Sequence, residues 1–385
     1  MTGPVQRGAQ PSRVAGGLRA AVTATGLKHL AAAVVIGLLL IEVSNRLAPF
    51  RDFQMAQVAP YAIAAAGLTV LIGLSGQISI GNGAFMFLGG YTTALLIEHT
   101  HWPLALMLAA SAVVGAFVGG LVGVAAARLR GPYLAGATLL LALALPSITS
   151  QWQSVFLGDQ GLPVTITTPN AFLTNPYRWL AWIGVFCAVV AFVPLANLGR
   201  SRIGRSWRAI RDDDVAAALS GLNVAGLRVL AFVLSAAVGG LGGALYAIVT
   251  SVASPGAFTL QLSIQLLVVV LLGGLGSLAG AIWGSLVIVL VPNYLTDVFT
   301  SHGISPQAAS NSTLIGYGVV LIIVMLVFPH GIQGGIRRLF WPAAPSAAGP
   351  LHVLRRSGLT ALRLPGLSVL RRRGPASPHQ EEGTR

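Results

Sequence analysis

Charge is what this sequence has least of: Asp, Glu, Lys and Arg make up 9% of its 385 residues, where a soluble globular protein carries about 25%. So thin a charged layer cannot cover a water-facing surface, and with 55% hydrophobic residues the apolar side chains must face lipid. Cysteine occurs once, as Cys187 inside an apolar run, which excludes a disulfide framework and a cluster of thiolate metal ligands. Lysine also occurs once, as Lys28 followed by His29, so there is no Gly-Lys-Ser/Thr phosphate loop and the chain is not itself a P-loop ATPase. Paired catalytic carboxylates, a nucleophile elbow and a metal-binding helix pattern are all missing. His99 and His101 form an H-x-H pair without a third ligand nearby, which reads as two surface histidines. The sequence points away from an enzyme and toward a chain with no cofactor of its own.

The net charge of +14 does not indicate a nucleic-acid partner, because the basic residues sit at the two ends and in short loops rather than on a folded basic domain. Residues 1–28 hold Arg7, Arg13, Arg19 and Lys28 with no acid, and the apolar run from Leu30 to Ile41 follows. That is the charge order of a signal peptide. No clean small-x-small site follows and apolar spans continue downstream, so the run reads as a retained first helix.

A membrane helix needs about 20 apolar residues, and roughly ten segments qualify: 29–46, 55–74, 78–97, 103–127, 134–151, 179–198, 227–250, 262–275, 279–292 and 312–328. The eighth and ninth are short, and read as broken or partly re-entrant. The expected fold is an all-α polytopic membrane helix bundle: a basic N-tail over 1–28, a transmembrane domain over 29–338 with a loop outside the bilayer over 199–227, and a basic, disordered tail over 339–385. Ten crossings place both termini on one side. That side collects 21 basic residues against Arg46, Arg51 and Arg178 opposite, so by the positive-inside rule both termini are expected in the cytoplasm. Asp52, Glu98, Asp159 and Asp297 fall in or beside expected outer loops, leaving almost no charge in mid-span. A carrier coupled to protons or ions usually keeps such a charge, so the driving energy is expected from elsewhere.

Glycine is abundant, with 47 residues, and recurs at four-residue spacing as Gly115, Gly119, Gly123 and again as Gly276, Gly280, Gly284. Small faces of this kind let helix backbones touch, and the second set is assigned to helix packing. Three other segments depart from generic apolar sequence. In Gly73 to Tyr91, Ser75, Gln77, Ser79 and Asn82 lie among glycines at membrane depth. Two readings stand side by side there: a broken helix lining a cavity, or hydroxyls and amides bonded between helices. In the loop from Gly199 to Leu227, basic residues precede Asp212, Asp213 and Asp214, which suit the N-terminus of a short helix outside the bilayer. Such a helix can be gripped by a partner, and its arginines can also meet anionic lipid. In Leu267 to Ile288, Gly274, Gly276 and Ala279 fit G-x-G-x-x-G/A, but a phosphate site inside an apolar run with no βαβ context is rejected.

Taken in order, GLSGQISIGNGAFMFLGGYTTALL, FLGDQGLPV, GRSWRAIRDDDVAAALSGLNV, LLVVVLLGGLGSLAGAIWGSLV and VFPHGIQGGI resemble the permeases of branched-chain amino acid ABC importers, of the LivM type, over roughly residues 55–338. The resemblance implies an importer with a sister permease, two cytoplasmic ATPase subunits that bind ATP and Mg, and an external binding protein. It implies that Arg205 to Asn223 forms the coupling helix, with Arg205, Arg208, Arg211, Asp212, Asp213, Asp214, Gly221 and Asn223 meeting the ATPase. Substrate is then expected to pass near Gly76, Gln77, Ser79, Asn82 and Gly83. The chain departs from the family at Asn82, where histidine is frequent, and at Ala218, where glutamate is common, so no ion pair is carried over at 218. Relatives of this shape also import urea and other amides; a stand-alone channel or secondary carrier is the reading from another class.

Overall fold

The computed structural model describes residues 30–46, 48–129, 131–166, 175–302, 306–329 and 331–340. The expected N-tail over 1–28 and nearly all of the tail expected over 339–385 lie outside them. The described residues are overwhelmingly helical. In chain order they form α1 (Leu30–Asn45), α2 (Pro49–Leu68, continuing as a π-helical turn over Thr69–Leu74), α3 (Asn82–His99), α4 (Leu104–Ala126) and α5 (Pro132–Gln151). After them come α6 (Gln153–Phe156), α7 (Pro176–Arg200), α8 (Arg202–Asp212), α9 (Asp214–Leu219), α10 (Val224–Thr250), α11 (Leu260–Gly273), α12 (Leu278–Ser301), α13 (Pro306–Val327) and α14 (Gly331–Phe340).

Every expected span overlaps one of these helices. Six of the helices are long and apolar enough to cross a membrane by themselves, and a pair bent by 47°, Ser312–Val327 with Gly331–Leu339, makes a seventh. α1 and α5 are apolar but shorter. The third expected span began too early, because residues 78–81 are not helical and α3 starts only at Asn82. The ninth is not short: α12 runs through Pro292, where a stop was expected, and reaches Ser301. A proline inside a helix removes one hydrogen bond and bends it without ending it when the flanking residues keep packing.

α10 is the central helix and packs on α2, α3 and α4. Its glycines explain how. A Cβ on Gly243 would strike the carbonyl of Met86 in α3, and one on Gly240 would lie 2.5 Å from the carbonyl of Ser111 in α4. The backbones therefore touch, which is how helices gain dispersion energy in lipid where burial of apolar surface gives none. α4 shows the inverted pattern of a membrane helix: Gly115, Gly119 and Gly123 face α10, while Val113, Phe117, Leu121 and Val124 are exposed. Between α3 and α4, the hydroxyls of Thr93 and Ser111 are bonded at 2.7 Å.

The second glycine set divides. Gly280 and Gly284 of α12 abut the backbone of Gly273 and Val269 in α11, as helix packing requires. Gly276 does not belong to that face: it lies in the turn before α12 with φ +82°, against Gly73.

The end of the bundle remote from α8 and α9 is closed by the chain itself. Leu162 and Pro163 pair antiparallel with Ala253 and Val252, a two-residue ladder that is the one sheet among the described residues. Beneath it the rings of Phe87, Tyr91, Phe156, Tyr246 and Phe258 pack with centroids 4.5–6.4 Å apart. Asp52, expected in or beside an open loop, is instead fully buried in the first turn of α2. It accepts from Ser44 Oγ and Asn175 Nδ2, both at 2.7 Å, and Arg178 Nε lies 3.8 Å away.

Candidate functional site at a broken helix

α2 does not end in an ordinary cap. The π turn widens it, so that Ser75 N reaches back to Val70 O and Gln77 N to Leu71 O. Single π turns of this kind recur where a helix carries function. From Ser75 to Gly81 the chain is non-helical, and Gly76, at φ +74°, makes the turn out of the helix. Over the next residues burial alternates: Ser75, Gln77 and Ser79 point inward, Gly76 and Ile78 outward.

Irregular backbone at membrane depth must find partners in protein or water, and here the inward side chains supply several. Ser75 Oγ donates to Leu71 O at 2.7 Å, and Gln77 Nε2 donates to Ser75 Oγ at 2.9 Å. Thr138 Oγ1 of α5 accepts from Ile80 N, Asn82 Nδ2 donates to Ala64 O, and Ser263 Oγ of α11 accepts from Gly83 N at 3.1 Å. Ser235 of α10 lies 3.4 Å from Asn82 Oδ1. The helix is broken here, and Thr138, Asn82, Ser263 and Ser235 bond the run to neighbouring helices. Gln77 Oε1 is the exception, buried with no hydrogen-bond partner.

The loop expected to form one short helix forms two. α8 is held by Trp207, whose indole donates to Leu227 O at 2.8 Å from full burial, and by Arg208, which donates to Gly199 O. Asp213 separates the pair and caps α9, its carboxylate accepting from Val215 N and Ala216 N. The acidic run thus has three different roles: Asp212 ends α8, Asp213 is the cap, and Asp214 opens α9 and pairs with Arg228 at 3.0 Å. Gly221, with φ +82°, lets the chain leave α9, and Asn223 caps α10 through Gly226 N. Arg205 stays at the surface near Arg200 O.

Arg211 is placed differently from its neighbours. Its Nη1 donates to the carbonyl of Gly73 at 2.6 Å, which brings the predicted coupling segment and the predicted pathway segment into direct contact. Two residues that sequence reasoning missed are Val215 and Leu219, which are 59% and 85% exposed. They stand one turn apart on α9, and their signal was an i, i+4 apolar pair directly after an acidic cap. Among the described residues no group of three or more His, Cys, Asp or Glu could hold a metal.

Residues 51–328 match the model of a family described as the permease component of the branched-chain amino acid transport system. The chain belongs to that permease family. Among its relatives, the LivM permease protein of Salmonella typhimurium is 28% identical over 297 residues, covering 71% of this chain and 67% of that protein. The BraD permease protein of Pseudomonas aeruginosa is 26% identical over 294 residues, 71% of this chain and 91% of that protein. The LivH permease protein of Escherichia coli K12 is 26% identical over 306 residues, with the same coverage. All three are named for high-affinity branched-chain amino acid transport. No solved structure matches the chain. The LivM-type resemblance read from the five motifs therefore holds, and the chain is a multi-pass membrane permease. The broken segment and the α8–α9 pair both lie inside the matched residues.

Proposed function

We propose that this permease is one of two membrane-spanning subunits of an ATP-driven importer that carries branched-chain amino acids inward. The chain crosses the membrane about ten times with both termini in the cytoplasm, as the arginine distribution requires. A sister permease completes the path, an external binding protein delivers the substrate, and two ATPase subunits dock on α8 and α9. ATP and Mg are held by those ATPases. Substrate passes along the broken segment, with Gly76, Gln77, Ser79, Asn82 and Gly83 at the pathway.

The observation that carries this reading is the bare apolar pair on α9. Leu219 and Val215 project from a helix whose other side, at Ala217, is buried against the bundle. Burying a leucine side chain on binding contributes about 1.5–3 kcal/mol, which gives a partner's groove something to hold. Nucleotide-driven closure of the ATPases would displace α9 and α8 and rock the bundle between outward- and inward-facing states.

The test is reconstitution. Vesicles holding the permease pair, the ATPases and the binding protein should take up leucine when ATP is supplied on the ATPase side, whereas vesicles holding this chain alone should be inert. Flux from the chain alone would establish a channel or secondary carrier. Uptake of urea in place of leucine would keep the permease reading and change the cargo.

A further inference from the structure

We propose that Arg211, together with a chain of contacts through Asp214, Arg228 and Gln77, clamps the broken segment of α2 on both flanks, so that the break cannot rearrange unless α8 and α9 move. The proposal rests on the reading of α8 and α9 as the site where the ATPases act.

One flank is the Gly73 carbonyl. The π turn leaves it facing α8, and Arg211 Nη1 takes it at 2.6 Å. The stem of the same arginine lies over Gly76: a Cβ there would stand 2.7 Å from Arg211 Cγ and 3.2 Å from its Cβ. Glycine at 76 therefore serves twice, for the left-handed turn and for seating the arginine. On the other flank Gln77 Nε2 donates to Arg228 O at 3.2 Å, and Arg228 Nη2 donates to Asp214 Oδ2 at 3.0 Å. Asp214 is the first residue of α9, so any displacement of that helix pulls on Arg228 and, through its carbonyl, on Gln77.

These bonds differ from the others that hold α8. Trp207 and Arg208 tie it to Leu227 and Gly199, on the helices that directly flank the loop, and so keep it in place. Arg211 instead reaches a residue 138 positions away and joins the loop to a different span, while Gln77 bonds Arg228 of α10, 151 positions away, which Asp214 in turn ties to α9. Within the clamped segment Gln77 Oε1 is buried and finds no hydrogen-bond partner among the described residues. A buried acceptor left unpaired favours any rearrangement that supplies a donor, and release of the clamp permits one. Arg211 is thus a positioning residue that acts through the Gly73 carbonyl.

Two readouts test it in the full complex. The first needs no transport: Ser79→Cys is placed in a site fully buried in this structure, and its reaction with N-ethylmaleimide is timed without ATP, the native Cys187 being only 3% exposed. Arg211→Met, which keeps the stem and removes the donors, should speed labelling at 79 at least fivefold, and Arg211→Lys should return it at least halfway. The second is leucine taken up per ATP hydrolysed, which should fall about tenfold in Arg211→Met and in Gly76→Ala. Unchanged labelling in Arg211→Met, or an unchanged ratio in both variants, overturns the clamp. A parent complex that takes up nothing, yet whose Arg211→Met variant labels faster, overturns the ATP-driven importer reading and leaves the clamp standing.

Discussion

The two ends of α2 are tied down in opposite ways. At its first turn Asp52, with no exposed surface, is locked by the side chains of Ser44 and Asn175 and sits beside Arg178. At its last turn the Gly73 carbonyl is held by an arginine whose side chain is 42% exposed. Asp52 and Gly73 stand 21 positions apart, about 32 Å of helix. Opening the first end would bare a charge in a dry site, which costs several kcal/mol. Opening the second exchanges an arginine–carbonyl bond for bonds to water, a far smaller change. The difference teaches where this bundle can bend: at the α8–α9 end, with the far end as the fixed part.

The comparison can be broken or sharpened by substitution, beginning with the body that both ends share. Gly243→Leu should be the most damaging change, because the added side chain meets the Met86 backbone and drives α3 from α10; overpacking costs about 1–3 kcal/mol and occasionally more, and against unyielding backbone little monodisperse protein should be recovered in detergent. Next comes the far end: Asp52→Ala strands Asn175 and Arg178 and should lower stability by about 3 kcal/mol, read from thermal unfolding in detergent, with Asp52→Asn losing much less. If Asp52→Ala unfolds like the parent, the far end is not the rigid one. At the α8–α9 end, Leu219→Asp should leave thermal unfolding within about 0.5 kcal/mol of the parent and weaken ATPase binding at least tenfold, about 1.4 kcal/mol. A stability loss without a binding loss would move the docking surface elsewhere. The smallest effect is expected from Asp213→Ala, which removes the α9 cap at a cost of about 1 kcal/mol and should speed amide exchange at Val215 and Ala216 while leaving the far end untouched.

Much of the architecture was legible in advance. Apolar runs mark their own helices because every backbone group in lipid must be satisfied within the helix, and each expected span overlaps one. The polar, glycine-rich run at 73–83 announced a break, and the acidic triad announced a helix start. What failed, failed locally: the ninth span was expected to be short and to end at 292, although α12 continues through Pro292 to Ser301, and one helix was expected where Asp213 divides two. Asp52 was placed in or beside an outer loop because it falls between the expected spans 29–46 and 55–74. Its partners lie in α1 and just before α7, and nothing near it in sequence names them.

Composition and order of residues alone determined that this chain lives in a membrane, carries no nucleotide-hydrolysing loop of the P-loop kind, and has its polar features at the 73–83 run and the 199–227 loop. Only the tertiary structure decided that those two features touch. The reason is physical: Arg211 binds a backbone carbonyl, and because every residue carries one, no pattern of side chains can say which carbonyl a π turn will turn outward or which guanidinium will be close enough to take it.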